Sequence, residues 1–86
     1  MKYNVEIKIM PLKQLPDPQG NATLNGLKSL GLNSVEKVRV GKNIILNINA
    51  NSEADAKEIA TSAAKKLLAN LITESFEITS IIALKS

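Results

Sequence analysis

The sequence predicts an α+β fold: a two-layer sandwich of order βαββαβ, with a mainly antiparallel sheet and two helices on one face. Three observations predict it. Residues 3–9 alternate apolar and polar side chains with the period of a strand. Leu24, Leu27 and Leu30, and later Ala56, Ile59, Ala60, Ala63 and Leu67, recur at helical spacing. The stretches 34–50 and 76–85 return to period two, so helix and strand patterns interleave.

The first strand is YNVEIKI. Tyr3, Val5, Ile7 and Ile9 share one face, opposite Asn4, Glu6 and Lys8, as in a half-buried strand. Pro11, Pro16 and Pro18 then break regular pairing, and residues 10–16 read as a loop. Asp17-Pro18 marks a helix start: the aspartate accepts from free first-turn N–H groups, and proline has no N–H to leave unsatisfied. Gly31 follows the last leucine and suits a left-handed helix end. Gly26 lies mid-helix at a cost of about 1 kcal/mol relative to alanine, either as a close approach to another backbone or as a weak spot.

Residues 34–50 read as a hairpin. Val38 and Val40 alternate with Lys37 and Arg39, Gly41-Lys42 is the tight turn with glycine at positive φ, and Ile44, Leu46, Ile48 and Ala50 share the returning face. Ile45, on the polar side, hints that this side is partly covered. Ser52-x-x-Asp55 is a variant capping box opening the second helix, whose alanines allow close packing on the sheet and which ends near Asn70. In the final strand Phe76, Ile78, Ser80, Ile82 and Leu84 fall on one side, and Glu77, Thr79, Ile81, Ala83 and Lys85 on the other. Past Thr79 both sides are apolar, so this strand is expected to be central or covered by another chain.

The 86 residues are expected to form one domain, 1–86. A domain this small is usually supported by a disulfide, a metal or a partner chain. With no cysteine and no histidine, disulfides and thiolate or imidazole metal sites are excluded, and self-association is expected. The same absences remove Ser–His and Cys–His nucleophiles. Glu53, Asp55 and Glu58 fall in the first turns of a helix, where they complement its dipole rather than form a catalytic pair. Gly41-Lys42 lacks the earlier glycine and the following hydroxyl of a phosphate loop, since Asn43 comes next. A net charge of +3 raises nucleic-acid binding. One arginine and two aromatics, Tyr3 and Phe76, argue against it. Lys37, Arg39 and Lys42 make a small basic patch suited to a partner's carboxylate or phosphate. No apolar run is long enough to span a bilayer, and the expected location is the cytoplasm.

Three stretches together go further: "DPQG" at 17–20 running on to "SLG" at 29–31, "VRVGK" at 38–42 and "KKLLAN" at 65–70. In this order and spacing the chain resembles PurS, the small subunit of phosphoribosylformylglycinamidine synthase, from the first strand to about Ile78. The resemblance implies a non-catalytic assembly subunit in de novo purine biosynthesis. It would pair with itself as a dimer or tetramer. It would also join the glutaminase subunit PurQ to the synthetase subunit PurL, so that ammonia reaches the amidation of formylglycinamide ribonucleotide. The complex would use ATP, magnesium and glutamine, with none bound by this chain. It also implies partner-binding roles for Asp17, Gln19, Gly20, Arg39, Gly41 and Lys42. The tail "ITSIIALKS" is more apolar than the acidic ending common in the family, and it is expected to add to a neighbouring subunit's sheet. The alternative function is a small-ligand-binding regulatory domain of ferredoxin-like topology.

Overall fold

The computed structural model describes residues 1–85. Strand β1 covers Lys2–Pro11, helix α1 Pro18–Ser29, strand β2 Lys42–Asn49, helix α2 Glu53–Ala63 with a wide final turn over Ala64–Leu68, and strand β3 Glu74–Leu84. The sheet has the order β2-β1-β3, and both pairings are antiparallel. The α+β class and the antiparallel sheet are as expected. The predicted loop at 10–16 starts later than expected, because β1 stays paired with β3 as far as Pro11 opposite Glu74.

The core forms between β1 and α2. Val5, Ile7 and Ile9 are essentially inaccessible and Tyr3 nearly so, because β1 is central and α2 lies across its face. Alternation along β1 sends these four inward, and the register places Ile48, Leu46 and Ile44 of β2 beside them. Facing them, Ala56, Ala60 and Ala64 are fully buried at spacings of four, which bring them onto one helix face. Methyl-sized side chains let the helix approach closely. The predicted apolar stripe is therefore narrower than expected: Ile59 is 46% exposed and Leu67 83%. At the end of α2 the Ala69 N–H donates to the Ala64 carbonyl at 2.9 Å, a bond spanning five residues rather than four. This wide turn inserts one residue into the helical phase. It carries Ala69 into the core and leaves Leu67 outside.

Four further expectations are corrected. Residues 34–41 form no ladder, so the hairpin has only its second arm. Both sides of β1 are already occupied by β2 and β3. The Val40 N–H is spent on the Asp17 carboxylate, and the Arg39 side chain on the Pro11 carbonyl. Gly41 is not at positive φ; among the described residues Gly31 alone is, at 86°. Second, α1 does not share the sheet face with α2, which alone lies across the three strands. Third, β3 is an edge strand, and a bulge breaks its alternation. Glu6 faces Ser80 while Ile7 faces Ile78, so Thr79 is an extra residue. Phe76 and Ile78 therefore share the inner face with Ile81 and Ala83, not with Ile82 and Leu84. That one-residue change of phase puts the inner face on even-numbered residues before Thr79 and on odd-numbered residues after it, and leaves Ile82 and Leu84 on the outer face. Fourth, Ile45 is 54% exposed on the helix-free face.

Helix α1 is defined by its ends. Asp17 caps its start. At its end the Gly31 N–H donates to the Lys28 carbonyl and the Leu32 N–H to the Leu27 carbonyl, at 3.0 and 3.1 Å. This is the paired closure that a left-handed glycine permits. The molecule is long and thin, 50 × 29 × 14 Å along its principal axes.

Candidate functional site

The predicted partner-binding residues come from two separate motifs, and the structure brings them to one joint at the root of α1. Asp17 is its centre. One carboxylate oxygen accepts from the Gly20 N–H at 3.0 Å, the ordinary helix cap. The other accepts from the Val40 N–H at 3.1 Å, 23 residues away. These two N–H donors, Gly20 the stronger, hold the Asp17 carboxyl below its usual range; partial desolvation opposes them and the Arg39 charge adds to them. Arg39 donates to the Pro11 carbonyl, so 38–41 is fastened to the end of β1 as well as to the start of α1.

Both motif glycines are explained by close approach. A Cβ on Gly20 would overlap the Val38 carbonyl oxygen and the Asp17 carboxylate. A Cβ on Gly41 would overlap the Ile9 carbonyl and the Met10 sulfur. Gly26 has open space around it, which makes it a weak spot in α1 rather than a contact. Of the other two residues, Gln19 is exposed and its carbonyl takes the Thr23 hydroxyl at 2.9 Å. Lys42 pairs with Glu74 at 3.5 Å, an exposed contact of small worth. Asp17, Gly20, Arg39 and Gly41 thus build the joint, and Gln19 and Lys42 lie on its surface.

Two shallow grooves meet at Arg39. One is lined by Lys8, Met10, Lys13, Phe76 and Glu77, the other by Lys13, Pro16, Asp17, Asn21 and Lys37. The basic patch therefore includes Lys8 and Lys13 alongside Lys37 and Arg39, while Lys42 leans toward Glu74. Sequence reasoning missed Lys8 and Lys13 because they lie far from Arg39 along the chain. The Arg39–Pro11 tie and the close approach of Gly41 to Ile9 and Met10 bring the two stretches together. Among the described residues no group of three or more acids, histidines or cysteines could hold a metal. The joint offers hydrogen-bonding edges, cations and a fixed helix. Such groups can meet a carboxylate or phosphate on a partner.

The family profile described as PurS, phosphoribosylformylglycinamidine (FGAM) synthase, matches residues 4–81. The chain belongs to the PurS family. Among curated PurS subunits it is similar to that of Synechocystis, 37% identical over 81 residues spanning 92% of this chain and 81% of the relative. It is also similar to that of Bacillus subtilis, 34% identical over 74 residues spanning 86% and 87%. Among solved structures it resembles Thermus thermophilus PurS with a TM-score of 0.89 at 34% identity, covering 99% of this chain and 100% of that one. It resembles a chain of the Thermotoga maritima PurLQS structure with a TM-score of 0.85 at 28% identity, covering 91% and 95%. No helix among the described residues is long and apolar enough to cross a membrane.

Proposed function

We propose that this PurS chain is the non-catalytic assembly subunit of its synthase, joining the glutaminase subunit PurQ to the synthetase subunit PurL. The enzyme it serves is phosphoribosylformylglycinamidine synthase, a ligase complex of purine biosynthesis. The reading is carried by the likeness to a chain of a PurLQS assembly, and the family match over 4–81 supports it. In this role the chain supports passage of ammonia from glutamine to the ATP- and magnesium-dependent amidation of formylglycinamide ribonucleotide. It acts as a dimer or tetramer, in the cytoplasm. Asp17, Gly20, Arg39 and Gly41 serve assembly by holding α1 and the basic patch in place, and Gln19 and Lys42 by facing the partner. The chemistry of the joint supports this, because it exposes cations and helix surface and holds no reactive group.

The test is reconstitution. The large synthetase and glutaminase subunits of the same organism are mixed with ATP, magnesium, glutamine and the nucleotide, with and without this chain. Glutamine-dependent product and complex mass are followed together. Both should require the chain. Equal turnover and equal mass without it would remove the assembly role.

A further inference from the structure

Of the nine asparagines in the chain, Asn25 alone precedes a glycine. Asn33 and Asn51 precede serine, and the other six precede alanine or a bulkier apolar residue. The difference matters for spontaneous loss of the side-chain amide. That reaction needs the backbone nitrogen of the next residue to reach the asparagine Cγ, and a glycine, having no Cβ, obstructs the approach least. A closed helix prevents it. The helical turn keeps the nitrogen away from the side chain and holds its N–H on the carbonyl four residues back. Within α1, Asn25 is therefore reactive only to the extent that the helix opens.

Several features favour that opening. Gly20, Asn21, Thr23, Asn25, Gly26 and Ser29 are all poorer helix formers than alanine. The Thr23 hydroxyl donates to the Gln19 carbonyl at 2.9 Å and the Ser29 hydroxyl to the Asn25 carbonyl at 3.0 Å. Such back-bonds slightly destabilise a helix. Asn25 and Gly26 are exposed, and a Cβ built on Gly26 meets nothing within 4 Å. No strand packs on α1 as the sheet packs on α2. We infer that Asn25 is a self-modification site gated by the opening of α1. In the open helix the Gly26 nitrogen gives its proton to hydroxide and bonds to Asn25 Cγ. The bond from Cγ to the side-chain nitrogen breaks, and that nitrogen takes a proton from water and leaves as ammonia. Water then opens the five-membered imide at either carbonyl, giving aspartate or isoaspartate. No electron transfer is involved, and water is the one co-reactant. Isoaspartate carries an extra methylene in the main chain, and aspartate sets a negative charge toward the C-terminal end of the helix. Either product leaves α1 harder to close again.

The test incubates the full chain at mildly alkaline pH and follows each asparagine by peptide mapping, with isoaspartate scored by isoaspartyl methyltransferase labelling. Asn25 should convert first, ahead of Asn33 in the turn after α1, and the product should lose helical circular dichroism. Thr23→Ala combined with Ser29→Ala keeps the Asn25-Gly26 pair and tightens the helix. Both positions are exposed, so the fold is not at risk. In that variant Asn25 should convert about fivefold more slowly while Asn33 keeps its rate. An unchanged Asn25 rate would mean that the dipeptide alone governs the reaction, and gating by α1 fails. If Asn33 converts first, or if Asn25 keeps its amide over a time in which the urea-unfolded chain loses it, α1 stays closed and the folded protein has no such site.

Discussion

Asp17 does two jobs with one carboxylate, and they separate experimentally. Its folded-state carboxyl is lowered by the Gly20 and Val40 N–H groups. A group of this kind contributes stability above its unfolded value, and the contribution is lost as pH falls through the lowered folded value. The acid side of the stability profile should therefore steepen because of Asp17. Asp17→Asn should lower the urea midpoint at neutral pH and flatten that acid limb; an unchanged acid slope would show that the carboxyl does not carry it. The two α1 glycines should answer alanine in opposite directions. Gly26→Ala meets open space and should raise stability by about 0.5–1 kcal/mol, because alanine loses less backbone entropy in a helix. Gly20→Ala gains the same propensity but drives a methyl into the Val38 carbonyl, so a loss of about 1–3 kcal/mol is expected. Denaturant titration of both variants checks the pair: two changes of the same sign would mean propensity alone decides.

At the scale of elements the alanine face of α2 sets how near the helix sits to the sheet. Ala60 has no accessible surface and sits midway along the buried face. Ala60→Leu should cost about 1–3 kcal/mol by overpacking, whereas Leu67→Ala, at 83% exposure, should change the stability of the free chain by less than about 0.5 kcal/mol, both read from urea midpoints. What the sequence revealed of these elements follows a physical line. Strand β1, the caps at Asp17 and Ser52 and the stop at Gly31 were legible, because each depends on neighbours within four residues. The lost hairpin arm was not, because Val40 finds its acceptor 23 residues back, in place of a strand partner. The Thr79 bulge and the wide turn after Ala64 were hidden for a related reason. Each adds one residue to a regular period, and only the register with β1 or the packing of Ala69 reveals it. The candidate joint was half legible: its motifs could be read separately, but what joined them was tertiary.

The whole molecule is unevenly supported. Strand β1 and α2 share the core, while α1 leans on none of the strands as α2 does. Its leucines show the consequence: Leu24 and Leu27 are half-buried, and Leu30 is 76% exposed. A twelve-residue helix with a central glycine lies at the margin of stability in water. What holds it is the Asp17 joint at one end and the Gly31 closure at the other. Local opening of this arm should therefore need much less free energy than opening of β1. In amide hydrogen exchange on the free chain, α1 should exchange well before Val5, Ile7 and Ile9. If the arm meets PurL or PurQ, α1 should slow in the reconstituted complex while β1, already protected by its two neighbours, changes little. Exchange of α1 at the rate of β1 in the free chain would mean that arm and core open as one unit. The joint would then be as strong as the sheet it hangs from.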